Sequence, residues 1–251
     1  MCPNWIYFEP LQQRFCGLHS LNMLMQSSYF TREGLTAIGQ ELDSAEKATG
    51  LGSDEVGYNY DQTGYFSIQV ITEALHRENL TVTLLTHPDA SNFRRNPMQG
   101  GAYLINQNDH WFAIRRFGNR WFLLDSALKT RPEDEELMAT YMRDYFEAIM
   151  SNGATVYMIS GRFPDSPADR YYREHTFSTF QNVPTRAWSS SSSSEDLPST
   201  DEILEQLMDR AQKIKSLNTC FSMTLQPSSE SAEFTSTSSS TETEKSDLAK
   251  K

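Results

Sequence analysis

Hydrophobic residues recur along the first 188 positions with two different spacings, which separates helical stretches from strands. Where apolar residues return every three or four positions, the pattern predicts four helices, near 16–27, 32–48, 67–79 and 133–152. Short, strongly apolar runs predict five β-strands, at 80–85, 102–106, 110–117, 120–125 and 154–160. Because most helices precede most strands, we expect an α+β domain with a mostly antiparallel sheet.

The composition changes near residue 188, which indicates the end of the folded domain. We place this domain at 1–180, followed by a serine-rich flexible linker at 181–199. Residues 200–217 begin with Thr200 as a candidate N-cap, have acids in the first turn and carry apolar residues at helical spacing, so they predict an amphipathic helix. Residues 218–251 are rich in Ser, Thr and Glu, which is typical of a disordered tail.

Charge and cysteine content narrow the classes of protein. The formal net charge is −11 and basic residues form no stripe, so we expect no nucleic-acid partner. No apolar run approaches the roughly 18 residues of a membrane span, and the first residues lack the pattern of a secretory signal. Three cysteines, Cys2, Cys16 and Cys220, lie far apart, which favours a reducing compartment, cytoplasmic or nuclear, over a disulfide framework.

Cys16 is a candidate nucleophile because it stands in the first turn of a predicted helix. The positive end of the helix dipole favours a thiolate there, and Gly17 leaves room for a substrate backbone. Alternatively, Cys16 is a buried core residue. His19, one helical turn on, is poorly aimed to deprotonate Cys16, so we interpret it as structural or as a residue that supports the catalytic groups. No second Cys/His pair at ligand spacing completes a zinc site, and we expect no metal.

His110 is the better candidate for a general base, and Asp125 is its candidate orienter. Both stand on a predicted hairpin, His110 at the start of the first strand and Asp125 at the end of the second. A two-residue turn at 117–118 places them directly opposite; a turn at 118–119 places them one pleat apart on the same side. Either register predicts a triad with Cys16, in the chain order of papain-like hydrolases. The alternative is that Asp125 merely ends a strand.

Four stretches carry a family resemblance: CGLHSLNMLMQ (16–26), GYFSIQVITEAL (64–75), HWFAIRRFGNRWFLLDS (110–126) and YMISGRFPDSPADR (157–170). With them, the chain resembles the Josephin domain, the deubiquitinating cysteine protease domain of the ataxin type. The resemblance implies a papain-like fold, with an N-terminal helical part packed on a small antiparallel sheet. It also implies hydrolysis after the C-terminal glycine of ubiquitin by Cys16, His110 and Asp125, where Asp125 occupies a position often held by Asn.

The partners implied by the resemblance are ubiquitin, polyubiquitin or ubiquitinated proteins. We expect a monomer that needs no cofactor. The oxyanion-hole glutamine of the family corresponds to Leu11, so the adjacent Gln12 is the candidate replacement. Trp111 would line a groove for the ubiquitin tail. Residues 32–58 correspond to the mobile helical hairpin of the family, with a shorter second arm.

Four further residues match ubiquitin contacts of the family. Ile68 and Gln69 match positions that hold the ubiquitin being cleaved, although Ile68 equally fits the core face of its helix. Tyr29 and Phe30 match part of a second ubiquitin surface, where Glu78 replaces an expected tryptophan. Because a tryptophan anchor contributes much of such an interface, this second site is expected to be weak.

The sequence leaves alternatives open. The 200–217 helix fits a ubiquitin-interacting motif incompletely, because Lys215 stands where serine is expected, and it equally fits a generic partner-binding helix. For the whole chain, an active deubiquitinase competes with a catalytically weak or inactive ubiquitin-binding protein. A third reading is another papain-like enzyme, such as an acyltransferase or a protease for a different tag.

Overall fold

The computed structural model describes residues 4–49, 59–61 and 63–181. Three helices precede the sheet: α1 (Cys16–Met25), α2 (Arg32–Ala48) and α3 (Ile68–Arg77). The hydroxyls of Thr31 and Ser67 accept hydrogen bonds from backbone amides three residues on, and these N-caps explain where α2 and α3 begin. The sheet is followed or interrupted by three more helices, α4 (Ser91–Arg95), α5 (Met142–Ser151) and α6 (Pro167–Gln181).

The six strands form one antiparallel sheet in the order β1-β6-β2-β3-β4-β5. The α+β class and the antiparallel sheet predicted from the sequence are therefore confirmed. Residue 181, the first of the predicted linker (181–199), is the last residue of α6. The rest of the linker, the predicted amphipathic helix (200–217), the predicted tail (218–251) and residues 50–58 of the predicted hairpin lie outside the described residues. The strands are β1 (Thr81–Leu84), β2 (Ala102–Gln107), β3 (His110–Phe117), β4 (Arg120–Leu124), β5 (Glu136–Leu137) and β6 (Thr155–Ser160).

Each face of the sheet carries its own apolar cluster. Successive side chains of a strand point to opposite faces. Trp111 and Ala113 of β3 accordingly join the cluster that contains α1 and α3, while Phe112 and Ile114 join the cluster that contains α5. The sheet is thus covered on both faces, and α1 is packed directly along β3.

Arg115 of β3 is a buried cation that hydrogen-bonds to both α1 and α6. It is 3% exposed, and its guanidinium donates to the Leu24 carbonyl of α1 at 2.6 Å. It also donates to both carboxylate oxygens of Asp169 on α6, at 2.9 and 3.2 Å. Because burying an unpaired charge is costly, these contacts fix α1 and α6 against β3.

The helix predicted over 133–152 is wrong in its first half. A 3₁₀ turn at Pro132–Asp134, strand β5 and a second 3₁₀ turn at Ala139–Tyr141 precede α5, which begins only at Met142. Strand β5 exists because Glu136 and Leu137 pair with Phe122 and Trp121. This pairing depends on a distant strand, so local periodicity cannot indicate it.

Helix α6 was not predicted, although the sequence contains a start signal for it. The Ser166 hydroxyl accepts a hydrogen bond from the Asp169 amide at 3.1 Å, and the Asp169 carboxylate accepts one from the Ser166 amide at 3.1 Å. This reciprocal arrangement is a capping box, and Pro167 occupies the first helical position.

Candidate active site

The β3–β4 hairpin brings His110 and Asp125 into contact. Phe117 pairs with Arg120, so Gly118 and Asn119 form the two-residue turn, which confirms the second of the two predicted registers. Asp125 follows the last residue of β4 and lies on the same side as His110. The Nε2 atom of His110 is 2.7 Å from Oδ1 of Asp125, and the two residues are 2% and 1% exposed.

The β2–β3 turn sets the position of His110 at the first residue of its strand. Gln107 pairs with His110, and the two residues between them, Asn108 and Asp109, have φ values of 51° and 60°. Two consecutive positive φ angles are the geometry of a type I′ hairpin turn, which Asn and Asp tolerate better than other side chains. The turn therefore holds the imidazole at the end of the sheet where α1 begins.

Cys16 is the first residue of α1, as the sequence predicted, and its side chain meets the start of β3. The Trp111 amide donates to its Sγ atom at 3.5 Å. The Cys16 thiol lies close enough to His110 to contribute to the raised pKa of the imidazole. Because Nε2 of the imidazole is bonded to Asp125, Nδ1 is the nitrogen left for the thiol. The Ser20 hydroxyl lies 2.7 Å from the Cys16 carbonyl and 2.8 Å from the Trp111 carbonyl, which locks α1 to β3.

The electrostatics of the hairpin favour a charged imidazole. Burial opposes protonation, but the negative charge of Asp125, the hydrogen bond to it and the contact with Cys16 together raise the pKa of His110 to about 10. Oδ1 of Asp125 is held in turn by the Ala127 amide at 2.9 Å. At neutral pH the site therefore contains an imidazolium beside Cys16, and a neighbouring cation of this kind stabilises a nucleophilic thiolate.

The candidate oxyanion residues lie just before α1. Leu11 is half-buried and its side chain packs on the apolar cluster of α1 and α3, so it offers no polar group. Its amide donates to the Ser126 carbonyl at 2.8 Å. Gln12 is exposed, and its amide lies 3.3 Å from Nε2 of His19. The role of the Gln12 side chain stays a prediction.

The residues matched to ubiquitin contacts are distributed unevenly. Gln69 is exposed. Ile68 is half-buried and packs on the apolar cluster of α1 and α3, which fits the alternative that it is a core residue. Trp111 is 2% exposed, and its indole packs over Gly17 inside the domain, so the described surface includes almost none of it.

The second matched surface contains one prominent aromatic side chain. Tyr29 is 46% exposed and stands edge-on to Phe30 with ring centroids 5.1 Å apart. Its hydroxyl donates to the Glu78 carboxylate, which raises the pKa of Tyr29. The carboxylate that replaces the family tryptophan is therefore bound to the tyrosine beside it.

Tyr65 is a site residue that the sequence analysis missed. It is half-buried, and burial, followed by the charges of Asp109 and Cys16, raises the pKa of its hydroxyl. It therefore stands near the nucleophile, on the segment that leads into α3. The sequence could have indicated Tyr65 only through its place in the family-like stretch 64–75, because no helical or strand spacing relates it to Cys16.

A pocket of about 530 Å³ lies away from Cys16, between β3 and the start of α6. Most of its arginines are already bonded: Arg115 to Asp169, Arg173 to Asp165 and Arg116 to the Met98 carbonyl.

In the described part of the chain, no group of three or more His, Cys, Asp or Glu side chains is placed to hold a metal ion. Among the same residues, no helix is both long and apolar enough to cross a membrane.

Comparison with known proteins agrees with this α+β architecture. The Josephin family model matches residues 11–160, and the chain therefore belongs to the Josephin family. An Ataxin-3 homolog of Caenorhabditis briggsae is 36% identical over 172 residues, covering 66% of this chain and 52% of the relative. Human Ataxin-3 is 31% identical over 176 residues, covering 66% and 48%. The chain spans about half the length of the curated relatives it matches.

Proposed function

We propose that this chain is a cysteine-type deubiquitinase that cleaves the bond after the C-terminal glycine of ubiquitin. The observation that carries the proposal is the buried contact of Cys16, His110 and Asp125 within a Josephin domain. Ubiquitin, polyubiquitin or ubiquitinated proteins are the proposed partners.

The proposed reaction follows from the roles that the geometry allows. The Cys16 thiolate attacks the glycine carbonyl carbon, and the His110 imidazolium gives its proton to the departing amine as the carbon–nitrogen bond breaks. The resulting thioester is attacked by a water molecule whose proton returns to His110, and the Cys16 thiolate leaves. Asp125 keeps the imidazole oriented and stabilises its positive charge throughout.

Burial of the nucleophile supports a narrow substrate. Cys16 is only 6% exposed, and the next residue, Gly17, has no side chain. A bulky residue beside the scissile carbonyl would collide with the surrounding side chains, whereas the diglycine end of ubiquitin carries none. We therefore propose that restricted access to Cys16 causes the selectivity for a substrate that ends in glycine.

Two observations favour a second candidate, a ubiquitin-binding protein with weak or absent catalysis. Leu11 places an apolar side chain at the position of the family oxyanion glutamine, and loss of one oxyanion donor typically costs about a hundredfold or more in rate. In addition, Glu78 replaces the tryptophan of the second ubiquitin surface and is bonded to Tyr29. The two candidates differ in whether the Gln12 side chain replaces the missing oxyanion donor: it does so in an active deubiquitinase and does not in a non-catalytic ubiquitin-binding protein.

An activity-based probe tests the two candidates. Propargyl ubiquitin should add its mass to the full chain at Cys16, and Cys16→Ala should abolish labelling while circular dichroism shows the same fold. Gln12→Ala should lower turnover of a fluorogenic ubiquitin substrate by about a hundredfold. An unlabelled wild-type chain that still binds ubiquitin would support the non-catalytic candidate. Labelling by a different ubiquitin-like probe in preference to ubiquitin would indicate a protease for another tag.

A further inference from the structure

Glu9 is the centre of a polar cluster beside α1 that the proposed mechanism does not use. Its carboxylate accepts hydrogen bonds from the Tyr7 hydroxyl at 2.6 Å and from the side-chain amide of Asn22 at 3.1 Å, and it lies 2.6 Å from Nδ1 of His19. Burial disfavours the charged carboxylate, but the hydrogen bonds from His19 and Tyr7 outweigh burial and hold the pKa of Glu9 below its usual value. Glu9 is therefore an acceptor only.

The two neighbours of His19 define its tautomer. An ionised carboxylate cannot donate, so Nδ1 carries the hydrogen that faces Glu9. A backbone amide can only donate, so Nε2 must accept the Gln12 amide, 3.3 Å away. The arrangement is satisfied only by a neutral imidazole that connects α1, through Nε2, to the loop before Cys16.

The same loop is held from a second side. The Leu11 amide donates to the carbonyl of Ser126, the residue after Asp125. Two consecutive amides are thus bound by two different elements, Leu11 by the end of the β3–β4 hairpin and Gln12 by α1. The position of the Leu11–Gln12 peptide relative to both Cys16 and Asp125 depends on these two contacts.

We infer that His19 is a positioning residue: through the Gln12 amide it fixes the loop that supplies the oxyanion donor to Cys16. The inference rests on the proposed function, because it assigns His19 a part in that reaction. It narrows the expectation from the sequence, which was a structural role or a supporting role behind the catalytic groups, to the supporting role. His19 does not act on the substrate, so its effect should pass entirely through Gln12.

Two amide substitutions separate the contacts of His19. In His19→Gln, the amide oxygen reaches about as far as Nε2 and can still accept the Gln12 amide. In His19→Asn, the shorter amide reaches about as far as Nδ1, so it keeps the Glu9 contact and loses the Gln12 contact. We expect His19→Asn to lower kcat on a fluorogenic ubiquitin substrate by at least about tenfold with KM unchanged, since part of one oxyanion donor is lost. His19→Gln should stay within about threefold of wild type, as its Gln12 contact is kept.

A double variant tests the route. If His19 acts through Gln12, then His19→Asn combined with Gln12→Ala should be no slower than Gln12→Ala alone. Additive losses, equal losses in the Asn and Gln variants, or a rise in KM instead of a fall in kcat would overturn the inference and leave His19 a fold-supporting residue.

A measurement independent of turnover keeps the inference testable if the wild-type chain proves inactive. Amide hydrogen exchange at Gln12, followed by NMR on the full chain, should accelerate in His19→Asn and stay slow in His19→Gln, with unchanged thermal midpoints. Exchange at Gln12 that is the same in wild type and His19→Asn would refute the contact. Lack of labelling by propargyl ubiquitin in wild type would refute the proposed function alone.

Discussion

Asp125→Asn measures how much of the basicity of His110 comes from the buried carboxylate. In the wild-type chain, Nε2 of His110 lies 2.7 Å from Oδ1 of Asp125. The asparagine side chain keeps an oxygen that can accept a hydrogen bond from Nε2, but it carries no negative charge. Opposite charges about 4 Å apart at an effective dielectric constant of about 20 attract by about 4 kcal/mol. Since one pH unit corresponds to about 1.4 kcal/mol, the pKa of His110 should fall by up to about 3, from about 10 toward about 7.

The sign of the effect on catalysis follows from the proton that the leaving amine needs. A raised pKa keeps the imidazolium present up to about pH 10, so the alkaline limb of kcat/KM in wild type should lie near that value. In Asp125→Asn the imidazolium is lost at lower pH, and the limb should move to about pH 7. Activity near pH 6 should change much less.

The assay is kcat/KM on a fluorogenic ubiquitin substrate from pH 5 to 10.5, together with an NMR titration of the His110 ring in the full chain. Asp165→Asn is the matched control, because this exposed carboxylate is paired with Arg170 and Arg173 away from the site. A His110 titration that is unchanged in Asp125→Asn would refute the assigned electrostatic role, whatever the turnover.

Three further predictions concern packing and binding. Arg115→Met should lower the free energy of unfolding by about 2–3 kcal/mol in urea titrations, because the Leu24 carbonyl loses its donor and the partly buried Asp169 loses its counter-charge. The exposed Arg116→Met should change it by less than about 0.5 kcal/mol, and equal effects would contradict the role of Arg115. Gly161→Ala should lower the thermal midpoint more than Gly153→Ala: both have positive φ, but an added Cβ meets a backbone oxygen at 2.8 Å only at Gly161. Glu78→Trp should tighten binding of diubiquitin in a titration, since it adds an aromatic anchor beside Tyr29; unchanged binding would argue against this surface as a ubiquitin site.

Part of the site could be read from the chain because its geometry is local. Helix α1 begins at Cys16, as the apolar spacing predicted. The period-two pattern of β3 and β4 and the glycine at 118, whose φ is 60°, restrict the hairpin to registers that bring His110 and Asp125 to one side. The contact between these two side chains therefore follows from fewer than 20 consecutive residues.

Other features depend on partners far away in the chain. Strand β5 and the late start of α5 required the pairing of Glu136 with Phe122, and the edge position of that strand has no local signature. The contact of Glu9 with His19 and that of Leu11 with Ser126 form only when the N-terminal segment lies along α1 and the hairpin.

The sequence by itself determined most of the elements, the class of fold and the candidate chemical groups, because periodicity, caps and tight turns act over a few residues. Tertiary structure decided that the thiol of α1 meets the imidazole of β3, that Trp111 is interior and that His19 holds the loop before the nucleophile. These outcomes depend on packing a helix against a sheet formed from distant segments. Such packing is specified by the shape and charge of all the contacting side chains together, and not by any one stretch of the chain.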